Sequence, residues 1–259
     1  MATIQKTRYM FLGDFHIPYH DPFTLRAVLD VAKKRIKPDV LILIGDVLDF
    51  YPLSNYDKDP ARAFSLDDEI VTARTVLDQI RAALPDPEIY YIIGNHERRL
   101  LKFLRTRAPE LHGLKELDLS NLLRLHEYRI HLVRDEYDMP SDHYSISPNF
   151  IAVHGHIVRK FSGATAAAMI QEYFTNGVSG HTHRLAFVAH TDKSGRTYGW
   201  VENGCVCKLN PEYVKNPNWQ QGFSFADFVK KRYSMHIVPV IDRVPILFDS
   251  SIDAGASDV

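Results

Sequence analysis

An α/β fold with a parallel core is what this sequence predicts, and three observations carry it. Short apolar runs at residues 8–13, 40–44 and 89–93 are separated by stretches with helical spacing, the pattern of consecutive βα units. Each run ends in a cluster of polar residues. Strands joined by helical crossovers lie side by side and point one way, so these polar ends share one sheet edge, where open α/β sheets bind ligands.

Taken in order, the first run is Arg8 to Gly13, and it delivers Asp14-Phe15-His16. From Pro22 to Ile36 the apolar residues Leu25, Val28, Leu29, Val31, Ala32 and Ile36 keep helical spacing, with Asp21-Pro22 as start signal and Lys37-Pro38-Asp39 as stop. Val40 to Ile44 is continuously apolar, as in a strand buried on both faces, and ends in Gly45-Asp46-Val47-Leu48-Asp49. Pro52 to Phe64, with its prolines, Asn and Asp, is expected as a loop bordering the same edge. Ser65, with Asp68 three residues on, caps a helix to Leu84 whose inner face carries Leu66, Ile70, Ala73, Val76, Leu77 and Ile80. Ile89 to Ile93 then runs into Gly94-Asn95-His96-Glu97.

Arg98 to Leu125 is rich in Leu and Arg and is expected as a helical cap-like insertion at about 97–126 within one domain spanning 1–249, followed by a flexible tail at 250–259. Arg98, Arg99, Arg105 and Arg107 are expected on a solvated helix face, with substrate binding as the second reading. Tyr128 to Val133 is a strand, Asp138 to Ser147 a turn-rich loop, and Asn149 to Val153 a strand ending in His154-Gly155-His156. Ser162 to Phe174 has the alanine content of a helix, and Gly177-Val178-Ser179 leads to Gly180-His181-Thr182-His183. The alternating segments Leu185 to His190, Thr197 to Glu202, Phe223 to Phe228 and Met235 to Val240 make the second half a mixed sheet packed on the first.

Lys plus Arg number 31 against 32 Asp plus Glu, so no global charge draws the chain to nucleic acid or acidic lipid, although a local basic face stays open. No uncharged apolar run is long enough to cross a bilayer, and no basic-then-apolar leader precedes Thr7. A soluble, cytoplasmic protein with no membrane partner is expected. Cys205 and Cys207 lack the second pair that a structural zinc knot needs and are expected as reduced, buried thiols in a strand.

Five clusters thus stand at predicted strand ends: Asp14 with His16, Asp46 with Asp49, Asn95 with His96, His154, and His181 with His183. Carboxylates and imidazoles with one amide are the donor set of borderline to hard divalent metals. Through Asp14-Phe15-His16, Gly45-Asp46-Val47-Leu48-Asp49, Gly94-Asn95-His96-Glu97, His154-Gly155 and Gly180-His181-Thr182-His183, the sequence resembles the calcineurin-like metallophosphoesterases in a bacterial or phage-type form. The blocks stand in the family's order over residues 14–183. Glu202-Asn203-Gly204-Cys205 and Trp219-Gln220-Gln221-Gly222-Phe223 are similar to phage-encoded members.

The resemblance implies a four-layer αββα sandwich of two mixed β-sheets flanked by helices. It implies two divalent metal ions, manganese first, with iron, zinc, nickel or magnesium as alternatives. Asp14, His16 and His183 would hold one ion, Asn95, His154 and His181 the other, and Asp46 would bridge them. His96 would be the proton donor, oriented by Asp49, in hydrolysis of a phosphoester by metal-activated hydroxide. Phe50 stands where the protein serine/threonine phosphatases of the superfamily carry a phosphate-gripping Arg, and those enzymes lack the Gly-His-x-His block, whereas Glu97 matches them. A phosphodiester of a nucleic acid or nucleotide is therefore the first expectation and a phosphomonoester, as for a phosphatase, the second. A non-catalytic metal-binding scaffold is the third, and the presence of all seven ligand positions and His96 weighs against it. A homodimer is expected by analogy alone. Substrate-binding residues and a role for Glu97 do not emerge from the sequence.

Overall fold

Residues 6–55, 64–210 and 217–247 are described by the computed structural model; the middle of the loop expected at 52–64 and the tail at 250–259 lie outside them. The run Lys6–Leu12 forms β1, Val40–Ile44 β2, Glu88–Ile92 β3 and Ile130–Leu132 β4, four neighbours in parallel register. Between them lie α1 (Pro22–Val31), α2 (Leu66–Ala83), α3 (Glu97–Thr106) and α4 (Leu119–Leu122). The expected start signals operate. Asp21 Oδ1 accepts from the Phe23 and Thr24 amides, and Ser65 and Asp68 form a reciprocal capping box.

The alternation within β2 accounts for the layering. Leu41 and Leu43 enter a core shared with Val28, Ile70, Val76 and Leu100, which lines the helices, while Ile42 and Ile44 enter a second core with Phe150, Val178 and Val201. That second core lies between the sheets. The other sheet has the order β5-β6-β7-β9-β8, with β5 at His143–Ser147, β6 at Phe150–Val153, β7 at Asn176–Ser179, β8 at Leu185–Thr191 and β9 at Thr197–Asn203. Helix α5 (Ala164–Tyr173) covers its outer face, where Ala166, Met169 and Ile170 pack with Val153 and Trp200. The result is the expected αββα sandwich of two mixed sheets.

Three expectations are corrected. Segment 143–147 is not loop but the edge strand β5, whose outer residues are polar because only one face is covered. The last strands do not join the second sheet. β10 (Gly222–Val229) pairs antiparallel with β1, and β11 (Arg232–Ile241) and β12 (Val244–Pro245) extend the first sheet to seven strands. Cys205 and Cys207 are buried and free as expected, but they lie past the end of β9, in a segment attached by isolated bridges to Gln221 and His20. No helix among the described residues is long and apolar enough to cross a membrane.

Candidate metal centre

The carboxyl ends of β1, β2 and β3 and those of β6 and β7 converge, and the loops leaving them are stitched together by backbone. The Asp14 amide donates to the Gly45 carbonyl at 3.1 Å, and both the Phe15 and His16 amides donate to the Asp46 carbonyl at 2.9 Å. Such tight turns force unusual conformations. Asp14, His16, Asp46, His181 and His183 all have φ between 49° and 70°, a region that costs about 1–3 kcal/mol for residues with side chains and clusters at functional sites. Gly94 allows the close approach at the third loop, since a Cβ there would meet the Asp46 amide nitrogen at 2.5 Å.

All the sequence-predicted residues meet here. Asp14, His16 and His183 offer ligand atoms within 4.8 Å of one another, as do Asp46, His154 and His181. His16 Nε2 and His183 Nε2 are 2.9 Å apart, and Asp14 Oδ1 is 3.2 Å from His183 Nε2. Asn95 Oδ1 lies 3.0 Å from His154 Nε2. Asp46 Oδ2 faces both groups, at 3.6 Å from His16 Nε2 and 3.3 Å from His154 Nε2. His96 Nδ1 faces the Asp49 carbonyl at 2.7 Å and Asp49 Oδ1 at 3.0 Å, while Asp49 Oδ1 also meets His16 Nδ1 at 3.1 Å.

Electrostatics follow from this crowding. Burial opposes the charge on Asp46, but His154 and His96 hold the carboxylate well below its usual range. Burial also opposes a charged His154, and Asp46 overrides it, lifting the ring to about 10. His183 likewise rises to about 10 against burial, through Cys207 and Asp14, whereas burial and the His154 charge push His181 down to about 4. Asp49 is held low, against burial, by its bonds from His16 and His96.

Several partners escaped sequence reasoning. Glu97 is buried and accepts from the Asp46 amide at 3.0 Å, the Leu48 amide at 3.0 Å, the Gly94 amide at 2.7 Å and the Tyr91 hydroxyl at 2.8 Å, so it clamps the second and third loops together. Glu202 does the same for the last loop, accepting from Thr182 Oγ1 at 2.8 Å and from the Gly163 and Ala166 amides at 2.8 and 3.0 Å. Cys207 Sγ sits 3.8 Å from His183 Nδ1. The only signal for Glu97 was its position beside the motif; for Glu202 it was an unexplained block. Arg99 departs from the expected solvated face: three residues past His96 on the same helical side, it donates to the Asp49 carbonyl at 2.8 Å and reaches His96 Nε2 at 3.1 Å. Phe50 is fully buried in the main core.

The family model for calcineurin-like phosphoesterases matches residues 7–185. The chain belongs to that family. The Gene 54 protein of Mycobacterium phage L5 is 27% identical over 248 residues, covering 90% of this chain and 94% of that protein, and the Gene 54 protein of Mycobacterium phage D29 is 27% identical over 249 residues with the same coverage. Among solved structures, Vacuolar Protein Sorting 29 from Cryptosporidium parvum aligns at TM-score 0.49 and 12% identity over 93% of this chain and 95% of that one. Nuclease MPE from Pseudomonas putida aligns at TM-score 0.37 and 15% identity over 88% and 87%.

The donor set of this calcineurin-like phosphoesterase fits divalent cations. Two fully buried carboxylates, Asp14 and Asp46, lie among imidazoles whose nitrogens point at one another, an arrangement that is unfavourable unless positive charge is shared between them. The same carboxylates raise the pKa of His154 and His183, so these rings bind protons where they would otherwise share a cation. A cation would replace those protons.

Proposed function

We propose that this calcineurin-like phosphoesterase hydrolyses phosphodiesters, of a nucleic acid or nucleotide, with two divalent cations, manganese foremost. The observation that carries the reading is the placement of Asp46 Oδ2 against both His/Asp groups at once, with His96 Nε2 3.8 Å from the same oxygen. Asp14, His16 and His183 would hold one cation and Asn95, His154 and His181 the other, with Asp46 between. When bound, such a pair supplies Lewis-acid charge to phosphoryl oxygens and lowers the pKa of a water.

The chain's own residues supply proton handling. Asp49, through its carbonyl and Oδ1, fixes the His96 ring by Nδ1 and leaves Nε2 directed to the site. Burial disfavours a charged His96, but the Asp46 charge and the bond to Asp49 raise its pKa, so the ring is suited to donate a proton to a departing alkoxide. Phe50, buried in the core, offers no grip on the charged oxygens of a monoester, which supports a diester substrate. Turnover of bis-p-nitrophenyl phosphate and p-nitrophenyl phosphate, compared side by side with added manganese, tests the reading. Faster turnover of the diester is expected; faster turnover of the monoester would favour the phosphatase alternative, and manganese binding without turnover the scaffold.

A further inference from the structure

Beside the metal centre lies a groove of about 420 Å³ between α3 and the turn at Tyr51–Leu53. It starts at Asn95, and its lining includes Arg98, Arg99, Lys102, Phe103 and Arg107. Arg98 pairs with Asp142 at 3.0 Å, while among the described residues no carboxylate pairs with Lys102 or Arg107. The balanced charge of the whole chain thus conceals a local excess of cations at one place, adjoining the reaction centre. The amino end of α3 adds the positive end of a helix dipole. Phe103, 37% exposed, offers an aromatic surface among these cations.

Cations spaced along a groove with an exposed aromatic between them are the arrangement that holds single-stranded nucleic acid, phosphates on the cations and a base on the ring. The volume accommodates about one nucleotide, the scale of a small-ligand pocket. Its connection to His96 says which part of the strand lies there. Arg99 joins the groove to His96 Nε2, so a strand in the groove extends from the side where the leaving oxygen takes its proton. A phosphate there also competes for Arg99, which otherwise donates to the nitrogen that has to carry the proton.

We propose that this groove is a subsite for the leaving-side nucleotide of a single-stranded nucleic acid, with its phosphate on Arg98, Lys102 and Arg107 and its base on Phe103. The proposal rests on the hydrolase reading for the direction of the strand, but not for binding itself. Binding is therefore what tests it. In the manganese-loaded full chain carrying His96→Asn to slow cleavage, fluorescence anisotropy of a labelled oligothymidylate is followed across a salt series. Adding Lys102→Ala with Arg107→Ala is expected to weaken binding at least tenfold and to reduce the slope of log affinity against log salt by about 0.7, the share of the one phosphate that these cations hold. Phe103→Ala is expected to weaken binding with an unchanged salt slope. Arg105→Ala, on the same helix but outside the groove, is expected to change neither. Thermal midpoints check that each variant is folded, and all four side chains are exposed. Unchanged affinity and slope in the double variant would overturn the subsite. Displacement of the probe by a nucleoside triphosphate as effectively as by unlabelled oligomer would overturn the strand in favour of a free nucleotide. Oligomer binding that depends on these residues, without turnover of any phosphoester by the manganese-loaded native sequence, would leave the groove standing and remove the hydrolase.

Discussion

His96 shares Asp49 and Asp46 with His16 but differs in what meets its Nε2, where the Arg99 guanidinium lies at 3.1 Å. His96→Asn is expected to lower kcat by about 10²- to 10⁴-fold for a nucleoside leaving group, and far less for p-nitrophenol, which departs without a proton. Activity needs the protonated ring, and the folded pKa is raised, so the rate falls only as pH climbs through that raised value. In steady-state profiles that alkaline limb should disappear in the variant, while calorimetric binding of manganese stays within about twofold. An equal loss of both would contradict the acid role. Glu69 makes a second residue-scale case. It is buried, and burial together with the Asp49 charge pushes its pKa up to about 8, against the lowering effect of the Phe50 and Tyr51 amides. Between the ordinary carboxylate value and about 8 the folded chain keeps this proton and the unfolded chain does not, so stability falls as pH rises through that window. Glu69→Gln is expected to match the native sequence at pH 5 and to exceed it by about 1–3 kcal/mol at pH 9, read from urea midpoints.

At the scale of elements, the capping box on α2 gives a plain expectation. Ser65 Oγ accepts from the Asp68 amide at 3.1 Å, and Asp68 Oδ2 accepts from the Ser65 amide at 2.9 Å. Ser65→Ala is expected to cost about 1 kcal/mol in urea denaturation without altering manganese affinity. This box was legible because its partners are three residues apart. So was β2, whose short, unbroken Val40–Ile44 run of β-branched residues and leucine between turn signals has the pattern of a strand covered on both faces. β5 was not, since an edge strand with half-exposed residues carries a weak pattern. Nor was the sheet to which β10 belongs. Lys6 pairs with Val229 across almost the whole described chain, and local alternation says that a strand forms but not where it docks. The site divides along the same line. Asp14, Asp46, Asn95, His154 and His181 each follow a strand end, a local signal, and they converge as expected. Glu97 and Glu202 gain meaning only from amides and hydroxyls that other segments bring to them, and Arg99 only from the turn of helix that sets it over His96.

For the molecule as a whole, the centre is a joint between the sheets. Asp14, His16, Asp46 and Asn95 hang from the seven-stranded sheet, and His154, His181 and His183 from the five-stranded one. A cation held by both sets ties the two layers together, and whatever binds only the folded state stabilises it by mass action. Manganese at a hundred times its Kd is expected to contribute about 2.7 kcal/mol per site, some 5–10 °C in thermal midpoint for a chain of this size. Asp46→Asn should remove most of that shift, because Asp46 Oδ2 faces both groups, whereas Asp30→Asn, in an exposed pair with Lys34, should leave it intact. The sign of the pH dependence follows from the imidazoles. His154 and His183 hold their protons up to about 10 in the absence of a cation, so binding must expel them, and that is harder at pH 6 than at pH 8. The manganese-induced shift should therefore grow between those two values in differential scanning calorimetry. A shift that shrinks over the same interval, or that survives Asp46→Asn at full size, would place the cation elsewhere than between the sheets.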